Sequence, residues 1–203
     1  MQRCLPCHSS DAPGLMAKYG EDYFYQGKFD VLTEGVNPIG CANCHDTDTM
    51  ELRVGNPFAV RAIEKLGKDP QKLSQNELRS YVCAQCHYEY VSPVKNGVKT
   101  VEMDWSLYGD LEKLSKYYDT EAAVSYTHPL SKAPLVKPMN NEAGLAMNGI
   151  HYKPGVAFAN CQIPPVTLTA TTFTSHDNVA GSRNIQAACP HFHEDFDVKT
   201  LPN

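Results

Sequence analysis

The chain has 203 residues and a formal net charge of −5, and its lysines and arginines are scattered along it. That length suits one domain or two small ones. The charge pattern lacks the basic face that nucleic acid requires, so no nucleic-acid partner is expected, and no run of about 18 apolar residues offers a membrane span. The first cysteine pair begins at Cys4, which leaves no room for a charged and then apolar leader, so a mature form or a fragment is expected.

In chain order, residues 4–45 are expected to be loop-rich, with Gly14, Gly20, Gly27, Gly35, Pro38 and Gly40 as punctuation and a short helix over Pro13–Lys18. PFAVRAIEKL, residues 57–66, opens with proline and stops before Gly67, which predicts a short helix. Ser74-Gln75-Asn76-Glu77 reads as a capping box, and the helix it starts should run through Leu78 and Val82 into CAQCH. Residues 91–104, with Asn96-Gly97 and the alternating VKTVEM, predict a small hairpin. Leu107, Leu111 and Leu114 fall at helical spacing, so residues 105–118 are expected to form one helix. Pro129, Pro134 and Pro138 mark 128–141 as loop, and the Thr-rich 165–175 predicts a strand pair or an extended arm.

Eight cysteines and eight histidines need a reason in a chain this size. Three cysteine pairs of identical spacing, Cys4/Cys7, Cys41/Cys44 and Cys83/Cys86, are each followed at once by a histidine: His8, His45 and His87. This is the attachment signature of c-type haem. Residues i, i+3 and i+4 share one face of a helical turn, so two thiols can reach the porphyrin vinyl groups while the imidazole reaches iron. Disulfide frameworks and zinc sites also use Cys-x-x-Cys pairs, but they have no reason to place histidine after each one. Three such sites, without a large apolar periodic face, predict that the haems themselves are the core. The remaining histidines, His128, His151, His176, His191 and His193, are then candidates for the far side of each iron.

The words CLPCHSSDAPGLM, GCANCH, PFAVRAIEKLGK, YVCAQCHYEY, YYD, THPLSKAPLVK and GIHYKPGV, in that order, resemble the catalytic core of pentahaem cytochrome c nitrite reductase. The resemblance covers nearly the whole chain. It implies a mainly α, multihaem cytochrome c fold with a haem-stacked core, few short strands and long loops, forming a single domain over 1–203 that is truncated at both ends relative to the family. The implied reaction is six-electron reduction of nitrite to ammonium in the periplasm. The implied partners are nitrite, a membrane-linked quinol-oxidising cytochrome as donor, and a second copy in a homodimer. Three haems are implied by the intact motifs and up to five by the family, together with calcium.

Residue by residue, the resemblance makes Glu89 a calcium ligand and Tyr90 both a calcium ligand and an active-site phenol. A carboxylate and a backbone carbonyl suit a hard cation, and the carbonyl of Lys137 completes that implied set. His151 and His176 match the distal ligands of the fifth and second haems.

The chain also departs from the pattern. His8 stands where the catalytic haem usually has lysine. The word Lys-x-Gln-His-Pro reads Lys137-Pro138-Met139-Asn140-Asn141, so the catalytic histidine position is Asn140. Asparagine donates a hydrogen bond but is no acid near neutral pH. The fourth motif is reduced to Phe158-Ala159-Asn160-Cys161-Gln162 and the fifth to Cys189-Pro190-His191-Phe192-His193, each with one cysteine. One thioether can still hold a haem, so His193 opposite His151 is a candidate fifth site. Two other readings stay open: a non-catalytic multihaem electron-transfer protein, and a related enzyme acting on hydroxylamine or sulfite.

Overall fold

The computed structural model describes residues 4–25, 37–107, 110–120, 123–136, 140–177, 183, 185–190 and 192–193. Short helices dominate, and strands occur as three separate antiparallel hairpins among the described residues. None of the described helices is long and apolar enough to cross a membrane.

The first haem motif is itself a helical turn, α1 (Leu5–His8), with Pro6 in the first turn. Helix α2 (Ala12–Tyr19) matches the expected helix and stops at Gly20, whose φ of 81° is a left-handed conformation that glycine adopts freely. The loop expected around it is partly helical, since α3 (Glu21–Tyr25) follows at once with Glu21 and Asp22 in its first turn, where the helix dipole favours acids. The second motif opens with a 3-10 turn at Cys41–Asn43.

Helix α4 (Pro57–Lys65) begins where Pro57 predicts, and the Asn56 side chain caps it by accepting from the backbone N of Phe58 at 3.0 Å. Helix α5 (Gln75–Ala84) carries the expected capping box: Ser74 Oγ accepts from Glu77 N at 3.3 Å, and Glu77 Oε2 accepts from Ser74 N at 2.8 Å. It runs into the third motif.

Strands β1 (Val94–Lys95) and β2 (Val98–Lys99) turn through Asn96 and Gly97, both at positive φ, and a bridge between Val91 and Glu102 extends the pairing. The single helix expected over 105–118 is two pieces, a 3-10 turn at Trp105–Leu107 and α6 (Leu111–Tyr118). The leucine spacing is helical throughout, but the Asp110 carboxylate accepts from the backbone N of Glu112 and Lys113, and this starts a new helix.

Inside the loop expected over 128–141, β4 (Pro134–Leu135) pairs with β3 (Tyr126–Thr127), which lies just before that loop. Proline at 134 is tolerated because this is an edge pair. Then come α7 (Glu142–Asn148), α8 (Phe158–Gln162), the hairpin of β5 (Pro165–Leu168) and β6 (Thr171–Thr174), and α9 (Ile185–Ala188).

Besides any porphyrin, side chains form a core of their own. Phe24, Phe58, Ile63, Tyr88 and Met103 are fully buried, and Tyr88 stacks on Trp105 at 4.9 Å while its hydroxyl donates to the Trp105 carbonyl at 2.9 Å. Tyr81 from α5 packs on the same indole at 5.1 Å. The buried face of α4, Phe58, Ala59, Ala62 and Ile63, is the apolar stripe that supports it. The expectation that haems alone supply the core is therefore incomplete: an aromatic cluster holds one side of α5, and the haem motifs gather at its C-terminal end.

Candidate haem centres

In each intact motif the backbone closes a turn on the first cysteine. Cys7 N donates to Cys4 O at 3.1 Å. Cys44 N and His45 N donate to Cys41 O at 3.1 and 2.9 Å, and Cys86 N and His87 N donate to Cys83 O at 3.2 and 2.9 Å. Two sulfurs and an imidazole are thereby presented from one turn, as covalent haem attachment requires.

All eight cysteines are free of disulfides, and among the described residues no three His, Cys, Asp or Glu side chains gather as a metal-binding group. Burial pushes the Cys83 thiol up to about 11 and raises Cys44 as well. Sulfur in such apolar surroundings suits a neutral thioether better than the thiolate a zinc site or redox cysteine needs. The donor set thus fits haem c.

The three motifs meet. Cys7 of the first and Cys86 of the third share a hydrogen bond that lowers the former thiol and raises the latter. Two amides tie the backbones. Gln85, 3% exposed, accepts on Oε1 from Gly55 N and Asn56 N, both at 3.1 Å. Its Nε2 donates to Asn43 O at 2.9 Å and Val82 O at 3.0 Å, and lies 3.7 Å from Cys44 Sγ. Asn56, 5% exposed, donates from Nδ2 to Pro6 O at 3.2 Å and Gln85 O at 2.9 Å.

Beyond the intact motifs, two histidine pairs stand at the spacing of axial ligands. Two metal–imidazole bonds of about 2 Å, plus about 1 Å from each nitrogen to its ring centre, place the centroids about 6 Å apart. His45 and His176 are 6.1 Å apart, and His151 and His193 are 5.9 Å apart. The first pair joins the second motif to the histidine the resemblance assigns to it. The carbonyl of Met50 can only accept, so the 2.7 Å contact with His45 Nδ1 fixes the proton there and leaves Nε2 as the nitrogen that could bind a metal.

The second pair belongs to the reduced fifth motif, which keeps the turn of the intact ones: Phe192 N and His193 N both donate to Cys189 O at 3.0 Å. Cys189 lies near Cys161, whose thiol is raised by burial and then by that neighbour. At Cys161 the residue after the thiol is Gln162, which offers no imidazole.

The third motif is steadied from outside its turn. Ala143 N, in the first turn of α7, donates to His87 O at 2.9 Å, and the Glu142 carboxylate lies 3.8 Å from His87 Nδ1. His8 ends α1. Glu89 is buried and Tyr90, half-buried, packs against the aromatic core. The phenol of Tyr117 is raised to about 12, first by burial and then by the Glu89 charge, and its oxygen is buried without a hydrogen-bond partner among the described residues. Asn140 sits just before α7 at φ 52°, a left-handed conformation that asparagine tolerates better than most. Lys137 and His191 lie outside the described residues. His128 is occupied locally, since its Nδ1 accepts from Ser131 N at 3.1 Å across the β3–β4 turn.

The model of the family described as cytochrome c552 matches residues 1–201. The chain belongs to the cytochrome c552 family. Membership makes haem c its prosthetic group and confirms the mainly helical multihaem fold. Cytochrome c-552 of Parabacteroides distasonis is 36% identical over 201 residues, and that of Porphyromonas gingivalis 34%; each match covers 98% of this chain and 40% of the relative. The catalytic subunit of cytochrome c nitrite reductase from Desulfovibrio desulfuricans, a structure with two calcium sites, superposes with a TM-score of 0.80 at 29% identity, over 96% of this chain and 44% of that one. The chain therefore spans about 40% of the length of these curated relatives.

Sequence reasoning reached the cysteines and histidines of this cytochrome c552 chain but missed Gln85 and Asn56. A signal existed for Asn56, which precedes the proline of a predicted helix. Gln85 occupies a variable slot inside CAQCH, and only its contacts mark it.

Proposed function

We propose that the chain is the catalytic part of an ammonia-forming nitrite reductase of the periplasm. The His45–His176 spacing supports this reading: the histidine of an intact attachment motif lies 6.1 Å, ring centre to ring centre, from the histidine that the resemblance pairs with it, within a fold that matches a nitrite reductase catalytic subunit. Haem, when bound, would relay electrons from the donor and bind the anion. The protein's own part would be to hold the reacting haem through His8, to offer the Tyr90 hydroxyl as a hydrogen-bond donor to the substrate, and to hold electron-carrying haems through His45 and His87.

The carboxylate of Glu89, with carbonyls at Tyr90 and Lys137, is assigned to a calcium ion whose charge favours an anionic substrate. Four covalent haems fit best: three through paired thioethers and one through Cys189 alone, ligated by His193 and His151. A quinol-oxidising membrane cytochrome as donor, a homodimer and a single multihaem domain complete the reading.

One observation favours a second reading. Asn140 holds the place of a proton-donating histidine and has no titratable proton to give, which suits a cytochrome that only passes electrons.

The test is to produce the chain in a host that attaches c-type haem, count covalent haems by intact mass, and assay nitrite with reduced viologen. A high-spin signal in the oxidised protein together with ammonium formation supports the enzyme. Low-spin iron throughout, with no spectral response to nitrite, would leave the electron-transfer reading standing.

A further inference from the structure

We infer that the side-chain amides of Gln85 and Asn56 are a positioning device that sets the spacing of the first three haems. Three carbonyls they bind or carry come from the variable slots of three different motifs: Pro6 between Cys4 and Cys7, Asn43 between Cys41 and Cys44, and Gln85 between Cys83 and Cys86. The bonds therefore run between attachment turns and not within one.

Both amides are buried, and Gln85 has every hydrogen-bonding site filled. Gln85 spends both acceptor sites on Gly55 N and Asn56 N and both donors on Asn43 O and Val82 O. Asn56 caps α4 with its oxygen and spans the first and third motifs with its nitrogen. A buried amide with every site filled has one low-energy placement, because moving any partner strands a polar group away from water.

Each haem is rigidly joined to its turn by two thioethers and an imidazole, so a fixed relation among turns is a fixed relation among porphyrins. Electron passage between haems falls steeply with separation, and orientation decides its rate. The inference rests on haem attachment at the three intact motifs and is independent of any reaction with nitrite.

The experiment uses the haem-loaded chain and three variants. Asn56→Ser keeps an N-cap oxygen but removes the bridging NH2, and Gln85→Met keeps the length of the side chain but removes its amide. Ser74→Ala weakens α5 without touching the amides. Intact mass reports covalent haem, electron paramagnetic resonance reports magnetic coupling between neighbouring ferric haems, and flash reduction reports the rate of electron redistribution.

With all haems retained, Asn56→Ser and Gln85→Met are expected to weaken the coupling and slow redistribution several-fold, while Ser74→Ala matches the parent in both. Unchanged coupling and rate in the two amide variants would overturn the inference. So would loss of covalent haem from Asn56→Ser while Ser74→Ala keeps its full set, because the amides would then serve attachment rather than spacing.

Discussion

Residues 37–107 and the described part of 140–193 are held together by different means. The first region buries Phe58, Ile63, Tyr88 and Met103 and laces its motifs with buried amide bonds. The second leaves Leu145, Ile150, Leu168 and Phe173 exposed, and it meets α5 through polar contacts: Asn76 Nδ2 to Gly155 O at 2.8 Å, Phe158 N to Ser80 Oγ at 3.1 Å, and Arg79 to Thr174 Oγ1 at 3.2 Å. Its reduced motifs nonetheless keep the His151–His193 pair at ligand spacing. The contrast teaches that a turn and a histidine pair can keep their spacing even where the surrounding apolar core is thin.

The sharpest way to break this contrast is His151→Ala. It is expected to abolish one low-spin ferric species in the resonance spectrum while leaving the signal of the His45–His176 site in place; equal disturbance of both sites would show that the two regions are one cooperative unit. Next, Phe58→Ala, at a residue 2% exposed, should cost about 3–5 kcal/mol in denaturant unfolding. Phe173→Ala, at a residue 45% exposed, should stay within about 0.5 kcal/mol. Similar losses at the two phenylalanines would contradict the difference in packing.

A smaller effect comes from acid. Lys68 and then Ser74 hold the Glu77 carboxyl down to about 2 from 4.5. Its folded value lies below its unfolded one, so its stabilising contribution is complete above pH 4.5 and is lost as pH falls toward about 2. Allowing for solvent screening of this exposed pair, that contribution is about 1 kcal/mol, and Glu77→Gln should remove the corresponding slope from an acid titration of unfolding. The smallest expected change is Arg79→Ala, which unties the β5–β6 hairpin from α5 for about 0.5 kcal/mol. Faster proteolysis confined to 165–177 would report it.

Legibility in the sequence followed the range of the interaction. Haem attachment depends on residues three and four apart, so Cys41, Cys44 and His45 could be read directly, as could the Ser74–Glu77 capping box. The break at Asp110 escapes a periodicity reading because the helical spacing of Leu107, Leu111 and Leu114 runs straight across it, and only one capping carboxylate, bound to the amides of Glu112 and Lys113, marks the restart. Helix α3 was missed because glycines on both sides of it dominate the local composition. The histidine pairs join residues far apart in the chain, and resemblance to a family, not any local pattern, points to them. The link between Asn56 and Gln85 left no mark at all, since an asparagine at a helix start and a glutamine in a variable slot are each ordinary where they stand.

Met50 acts on the ring of His45 from outside the second motif. Its backbone is left-handed, at φ 61°, and in that conformation its carbonyl reaches His45 Nδ1. Such a backbone is strained for a residue with a Cβ, by roughly 1 kcal/mol. The hydrogen bond it makes raises the electron-donating power of the imidazole. With haem iron on the other nitrogen of that ring, stronger donation would favour ferric over ferrous iron, so the voltage at which such a site accepts an electron would be partly written in the torsion of a residue that never touches the metal.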